Sequence, residues 1–208
     1  MKQLVFFVFT LFIGNQLLAQ GASFGIKGGT NYSIINIDKA IEDLKYTSGT
    51  GDFGFQAGAF FRVTAPFVYF QPEIMFTSSG GTINRDSIST SSVLALKYNR
   101  LDVPLSAGFK IAKVVRIGGA LVGSILLSDD IRNDVAGAGE EIKAKLSTAT
   151  VGYQAGIGLD ISIVTIDLLY EGNLSAFGTS IEGYDTDYRN QQFKLNVGIK
   201  LWRKLSEK

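Results

Sequence analysis

Gln192-Phe193-Lys194-Leu195-Asn196-Val197-Gly198-Ile199-Lys200-Leu201 is the stretch on which the reading of this chain turns. Apolar and polar residues alternate through it without a break. Successive side chains of a strand point to opposite faces, so a strand here has one greasy face and one polar face. The second face is polar enough to need water or partners, and the first is apolar enough to need cover.

The same beat recurs upstream. Eight strands are expected, over 22–34, 52–64, 67–78, 93–109, 115–127, 149–161, 164–174 and 190–202. In the second, Phe53, Phe55, Ala57, Ala59, Phe61 and Val63 oppose Gly54, Gln56, Gly58, Phe60 and Arg62. In the sixth, Val151, Tyr153, Ala155, Ile157, Leu159 and Ile161 oppose Gly152, Gln154, Gly156, Gly158 and Asp160. Connections near Ala65-Pro66, Ala112-Lys113 and Ser162-Ile163 are short, whereas 35–51, 79–92, 128–148 and 175–189 read as long polar loops. An even number of strands joined by alternating short turns and long loops is the layout of a bacterial outer-membrane barrel. The expected fold is therefore all-β: an eight-stranded antiparallel up-and-down transmembrane β-barrel.

The first nineteen residues are read apart from the fold. Lys2 precedes an apolar run, Leu4 to Ile13, and Ala19 offers a small residue for cleavage, after either Ala19 or Gln20. This is a signal-peptide pattern, too short to cross a bilayer as a helix. Residues 1–19 are thus expected to be removed and 20–208 to form the barrel domain, exported to the outer membrane. Removing Lys2 from 20 basic residues leaves nineteen, equal to the 19 acidic ones. A balanced chain lacks the basic stripe that nucleic acid would require, so no nucleic-acid partner is expected.

Energetic cost decides which face meets lipid. A Lys or Arg facing lipid at the bilayer midplane costs roughly 2–4 kcal/mol. Lys27, Arg62, Glu73, Arg100, Asp102, Arg116, Asp160, Asp167, Glu171, Lys194 and Lys200 all fall on the polar faces of their strands. Turned inward, they form an expected lumen charge network that fills the narrow interior of an eight-stranded barrel. Leu195, Val197 and Ile199 then face lipid. Phe24, Phe61, Phe67, Phe109 and Trp202 are placed near the periplasmic strand ends, and Tyr32, Phe53, Phe76 and Phe193 near the opposite ends. Together they read as the two aromatic girdles of a membrane barrel.

The segments Phe24-Gly25-Ile26-Lys27-Gly28-Gly29-Thr30-Asn31, Tyr69-Phe70-Gln71-Pro72-Glu73-Ile74, Leu101-Asp102-Val103-Pro104-Leu105 and Gly152-Tyr153-Gln154-Ala155-Gly156-Ile157-Gly158 carry a resemblance. In this order they resemble the PorT-like outer-membrane β-barrel ("porin family") proteins of Bacteroidota. The resemblance implies an eight-stranded outer-membrane barrel with no catalytic residues to transfer. One group in that family is tied to assembly of a protein secretion system. The basic tail after Trp202, Arg203-Lys204-Leu205-Ser206-Glu207-Lys208, departs from barrels that end on an aromatic residue.

Chemical motifs are few. With no histidine and no cysteine, the commonest general base, the commonest metal ligand and thiol chemistry are all missing. No catalytic, cofactor or metal residues are assigned, and no cofactor is expected. Gly118-Gly119-Ala120-Leu121-Val122-Gly123 lacks the strand–turn–helix setting and lysine of a phosphate loop. Asp129, Asp130, Asp134, Glu140 and Glu141, with Glu182, Asp185 and Asp187, make acidic loops without the ligand spacing of a calcium hand. Ile37, Ile41 and Leu44 stand at helical spacing, so a short helix is expected over 37–46. The expected role is structural or binding at the cell surface. The partners would be membrane lipid and a surface ligand or protein met by loops 35–51, 79–92, 128–148 and 175–189. A monomer is expected. The alternatives are a passive small-solute porin and an accessory barrel of a secretion system. A soluble lipid-binding barrel would instead put the charges outside and the greasy faces within.

Overall fold

The computed structural model describes residues 21–36, 38–41, 44–87, 91–111, 114–133, 144–175, 178–181 and 184–204. The expected signal peptide therefore lies outside the described residues. Among these residues eleven strands follow in order: β1 (Gly21–Asn36), β2 (Asp38–Ile41), β3 (Leu44–Thr64), β4 (Val68–Ser87), β5 (Ser91–Ile111), β6 (Val115–Asn133), β7 (Ala144–Leu146), β8 (Ala149–Ile161), β9 (Val164–Asn173), β10 (Gly178–Ile181) and β11 (Tyr184–Lys204).

Eight of them, β1, β3, β4, β5, β6, β8, β9 and β11, pair antiparallel with their neighbours in chain order. The circle closes where β1 meets β11, from Ala22↔Lys204 to Asn36↔Arg189, with one irregularity between Phe24 and Gly25. Closure leaves no unpaired strand edge along the wall, which is the condition for a sheet to stand in lipid. The eight-stranded antiparallel barrel expected from the sequence is the fold.

Period two maps onto inside and outside as the alternation requires. Along β8 the side chains switch between exposed and buried, with Val151, Tyr153, Ile157, Leu159 and Ile161 outward and Gln154 and Asp160 inward. Along β11, Phe193, Leu195, Val197, Ile199 and Leu201 are exposed, while Gln192, Lys194 and Asn196 are buried. The molecule is thus inverted relative to a water-soluble domain. Its large hydrophobes face out, and most of its buried residues are polar or charged. A soluble lipid-carrying barrel requires the opposite faces and does not fit.

Two expectations at the outer end are corrected. The run 37–46 is not a helix where it is described: Asp38–Ile41 and the start of β3 form a hairpin, with Lys39 opposite Tyr46 and Ile41 opposite Leu44. Three apolar residues at helical spacing are too weak a signal against the backbone pairing that β3 offers. Where they are described, the four long loops are also largely strand. β4 continues to Ser87 and β5 begins at Ser91, paired from Thr82↔Ala95 to Asp86↔Ser91. β10 pairs with both β11 and β7, extending the sheet above the barrel.

The opposite end is tight. Ser162 and Ile163 alone separate β8 from β9, and Ser162 takes a left-handed backbone (φ 58°), a conformation that favours glycine. Residues 65–67 link β3 to β4. Ala65 N–H donates to the Val68 carbonyl at 2.9 Å.

Candidate functional site

The inward side chains form two charged tiers and a neutral tier. At the end with the short turns, Asp160 sits on β8 just before Ser162. Arg62 from β3 donates to it through Nη1 at 2.8 and 3.1 Å, and Arg116 from β6 through Nε at 3.1 Å. Arg116 Nη2 reaches Asp167 of β9 at 2.7 Å. Lys27 Nζ of β1 lies 3.7 Å from Asp167 and 2.5 Å from Glu73 of β4. Gln71 Nε2 donates to Glu73 at 2.5 Å, and Arg62 Nε donates back to Gln71. The chain Arg62–Asp160–Arg116–Asp167–Lys27–Glu73–Gln71–Arg62 is a closed circuit drawn from six strands. Lys200 and Lys110 lie 3.5 and 3.6 Å from Asp160.

The next tier is Arg100 and Asp102 of β5 with Glu171 of β9 and Lys194 of β11. Arg100 Nε is 2.9 Å from Asp102, Arg100 Nη2 contacts Glu171, and Lys194 Nζ is 2.5 Å from Glu171. Thr77 donates to Asp102 at 2.8 Å and Gln154 to Glu171 at 2.6 Å, so the carboxylates have neutral donors as well. Buried charges persist when paired and hydrogen-bonded in this way.

Above it the donors are neutral. Asn190 Nδ2 donates to the Tyr98 hydroxyl at 2.6 Å, and Gln192 Nε2 donates to the same oxygen at 3.1 Å. Ser33 donates to Asn190 at 2.7 Å and Ser79 to Asn31 at 3.0 Å. Buried Ile35 and Leu96 cover this layer.

All eleven charged residues expected in the lumen carry at least one ion pair there. Lys110 is a twelfth member. It shares strand parity with Arg100 and Asp102 but lies one residue past the expected end of its strand at 109. Inward Gln56, Gln71, Gln154, Gln192 and Tyr98 complete the packing; their parity marks the face, but not the partner.

One cavity of about 20 Å³ is lined by Lys27, Tyr69, Glu73, Arg116, Gln154 and Asp167 among others, and a second of about 10 Å³ by Gln56, Met75 and Asp102 among others. A single water needs roughly 10–15 Å³ of such space. Gly118, Gly156 and Gly158 are part of the lining of the larger cavity, but a side chain at the inward glycines would be crowded. A Cβ on Gly58 would meet Met75 Sδ at 2.7 Å, one on Gly54 would meet Asn31 Oδ1 at 2.8 Å, and one on Gly156 would meet Leu169 Cδ2 at 2.8 Å.

Outside, the aromatic residues form belts. Tyr32 and Phe53 rings lie 5.0 Å apart, Phe193 and Tyr170 5.3 Å, and Tyr170 and Tyr153 6.2 Å. Phe193 stands opposite Tyr32 in register, which makes one row of five rings across β3, β1, β11, β9 and β8. Tyr153 and Tyr170 join the expected girdle members, and Phe55 does so through Phe76 at 6.0 Å. Phe24 stands opposite both Trp202 and Phe61 near the short-turn end, and Phe67 and Phe109 are exposed beside them. From Phe193 to Trp202 the strand runs about 30 Å, which at a tilt of about 40° spans about 23 Å of thickness, the height of an outer-membrane apolar band.

A closed barrel with an apolar band, two belts and a polar lumen has the anatomy of one family, and the model of the outer membrane protein beta-barrel domain matches residues 16–177. The chain belongs to that family. No curated protein matches it. Among solved structures, Neisserial surface protein A is similar at a TM-score of 0.52 and 13% identity, over 86% of this chain and 99% of that one. The outer membrane protein OprG of Pseudomonas aeruginosa follows at 0.47 and 13%, over 89% and 96%. Ail, the attachment invasion locus protein of Yersinia pestis, solved with the heparin analogue sucrose octasulfate, stands at 0.46 and 14%, over 89% and 99%. As an outer membrane beta-barrel domain protein, the chain sits in the lipid of the bacterial outer membrane. In the layout of such barrels the short turns, with the start of β1 and the end of β11, face the periplasm and the long hairpins face outward.

Proposed function

We propose that this barrel is a lipid-embedded scaffold that holds its outer hairpins at the cell surface for contact with a ligand or protein, and that it does not pass solutes. The closed circuit of Arg62, Asp160, Arg116, Asp167, Lys27, Glu73 and Gln71 carries this reading, because it crosses the lumen through six strands. Opening a path would break several buried pairs at once, each costing about 3–5 kcal/mol. In this reading the protein is a monomer and is not an enzyme; its hairpins, rather than its interior, meet the partner. The finer likeness to PorT-like barrels rests on the four segments quoted above; one group of that family is tied to assembly of a secretion system, and no residue of this chain singles that group out.

Planar-bilayer recording on the purified, folded protein tests the reading. The expected trace stays at baseline with no stable steps. Large, long-lived single-channel steps would overturn it in favour of passive transport of small solutes, for which the two adjoining cavities beside Glu73 and Gln154 offer a starting path.

A further inference from the structure

The two charged tiers differ in balance. In the upper one, Arg100 and Lys194 face Asp102 and Glu171, two against two. In the lower one, Lys27, Arg62, Lys110, Arg116 and Lys200 face Glu73, Asp160 and Asp167. Five cations against three anions leave two positive charges in excess among the described residues, at the periplasmic mouth.

The excess is also loosely held. Arg62 and Arg116 take the close hydrogen bonds to Asp160, and the two lysines remain at 3.5 and 3.6 Å, beyond hydrogen-bond distance. Among the described residues, Lys200 Nζ otherwise reaches only the Ser162 carbonyl, at 3.3 Å. The Lys110 ammonium makes no hydrogen bond among the described residues, its backbone N–H alone donating to the Phe67 carbonyl at 2.8 Å, and its side chain is 22% exposed. Arg62 Nη2 is buried without an acceptor among the described residues, its guanidinium 5.3 and 5.9 Å from the Phe60 and Tyr69 rings. Exposed Arg203 and Lys204 extend the basic character along the rim.

We propose that the periplasmic mouth of the barrel is a phosphate-binding site, with Lys110, Lys200 and the Nη2 edge of Arg62 as donors. A phosphate carries about two negative charges at neutral pH, equal to the surplus. Its oxygens can bridge two ammonium groups and a guanidinium edge through charge-assisted hydrogen bonds. The site lies at the opposite end from the hairpins and stands or falls independently of what those bind. Free phosphate and the phosphate of a lipid headgroup present the same chemistry there.

The test is calorimetric titration of inorganic phosphate into the folded full-length protein in maltoside micelles, at ionic strength held constant with chloride. One saturable site is expected. Lys110→Gln and Lys200→Gln should each weaken it about tenfold, and Lys97→Gln, on the outer part of β5, should leave it unchanged. Heat-dependent gel migration checks that each variant is folded. Lys110→Gln, at a side chain without a direct hydrogen bond, serves if Lys200→Gln does not fold. Absence of saturable binding, or unchanged affinity in folded Lys110→Gln, would overturn the proposal. Adding phosphatidylglycerol to the micelles, with oleate as the anionic control lacking phosphate, identifies the source. Weaker apparent phosphate affinity with phosphatidylglycerol than with oleate assigns the site to a lipid headgroup, and equal affinity assigns it to soluble phosphate.

Discussion

Val197 and Arg100 show how completely a single residue's worth is inverted in this molecule. Val197 is half exposed near the middle of the span between Phe193 and Trp202, where a charge meets only lipid. Val197→Arg is expected to destabilise the barrel by about 2–4 kcal/mol, whereas Leu201→Arg, beside the Trp202 belt, costs about 0–1 kcal/mol. Equilibrium unfolding from bilayers measures both, and equal costs would contradict the depth assignment. Arg100, by contrast, is a buried cation holding Asp102 and Glu171. Arg100→Leu leaves both carboxylates short of a partner and should cost about 3 kcal/mol or more in the same assay. Ser162→Gly acts in the other direction. It relieves a left-handed backbone that costs a non-glycine residue roughly 1–2 kcal/mol, so a gain of about 1 kcal/mol is expected. At this scale the sequence was legible as far as facing direction. Parity put Arg62 and Asp160 on inward faces, but nothing in the periodicity says that residues 98 positions apart share one height of the lumen.

Strands were legible only where lipid and lumen impose opposite demands. Within the bilayer each strand must separate greasy from polar, so β8 was expected over 149–161 and found there. Past the outer belt both faces meet water and the alternation fades. Ser79-Gly80-Gly81-Thr82 has no greasy face and reads as loop, although it is ladder-paired strand. The helical spacing of Ile37, Ile41 and Leu44 misleads for the same reason, because the pairing comes from the partner strand. The outer part of the β4–β5 hairpin should therefore be separable from the barrel. Replacing residues 84–93 by Asn-Gly joins Ile83 to Leu94, which already face each other, through a two-residue turn. The shortened protein is expected to keep heat-modifiable migration, with stability changed by about 1 kcal/mol or less. A ligand carried by that hairpin would be lost along with it.

The whole molecule has a greasy outer girth, a salt-bridged interior and a strand-built crown, and the crown has a consequence for reach. From Phe76 in the outer aromatic zone to Ser87 near the β4 tip is a strand run of about 36 Å, or about 28 Å of height at a tilt of about 40°. The headgroup layer on one side of a bilayer is only about 5–8 Å deep. The tip stands clear of it, like a periscope whose tube is the barrel wall itself. With no native cysteine, one introduced thiol can report this geometry without background. Lys97→Cys should react with an impermeant maleimide on intact cells, while Pro66→Cys, in the turn between β3 and β4, should react only after the cells are opened. A visiting particle much larger than this protein could then touch the tip without touching the membrane. Contact at the tip would be transmitted into the wall through continuous backbone pairing.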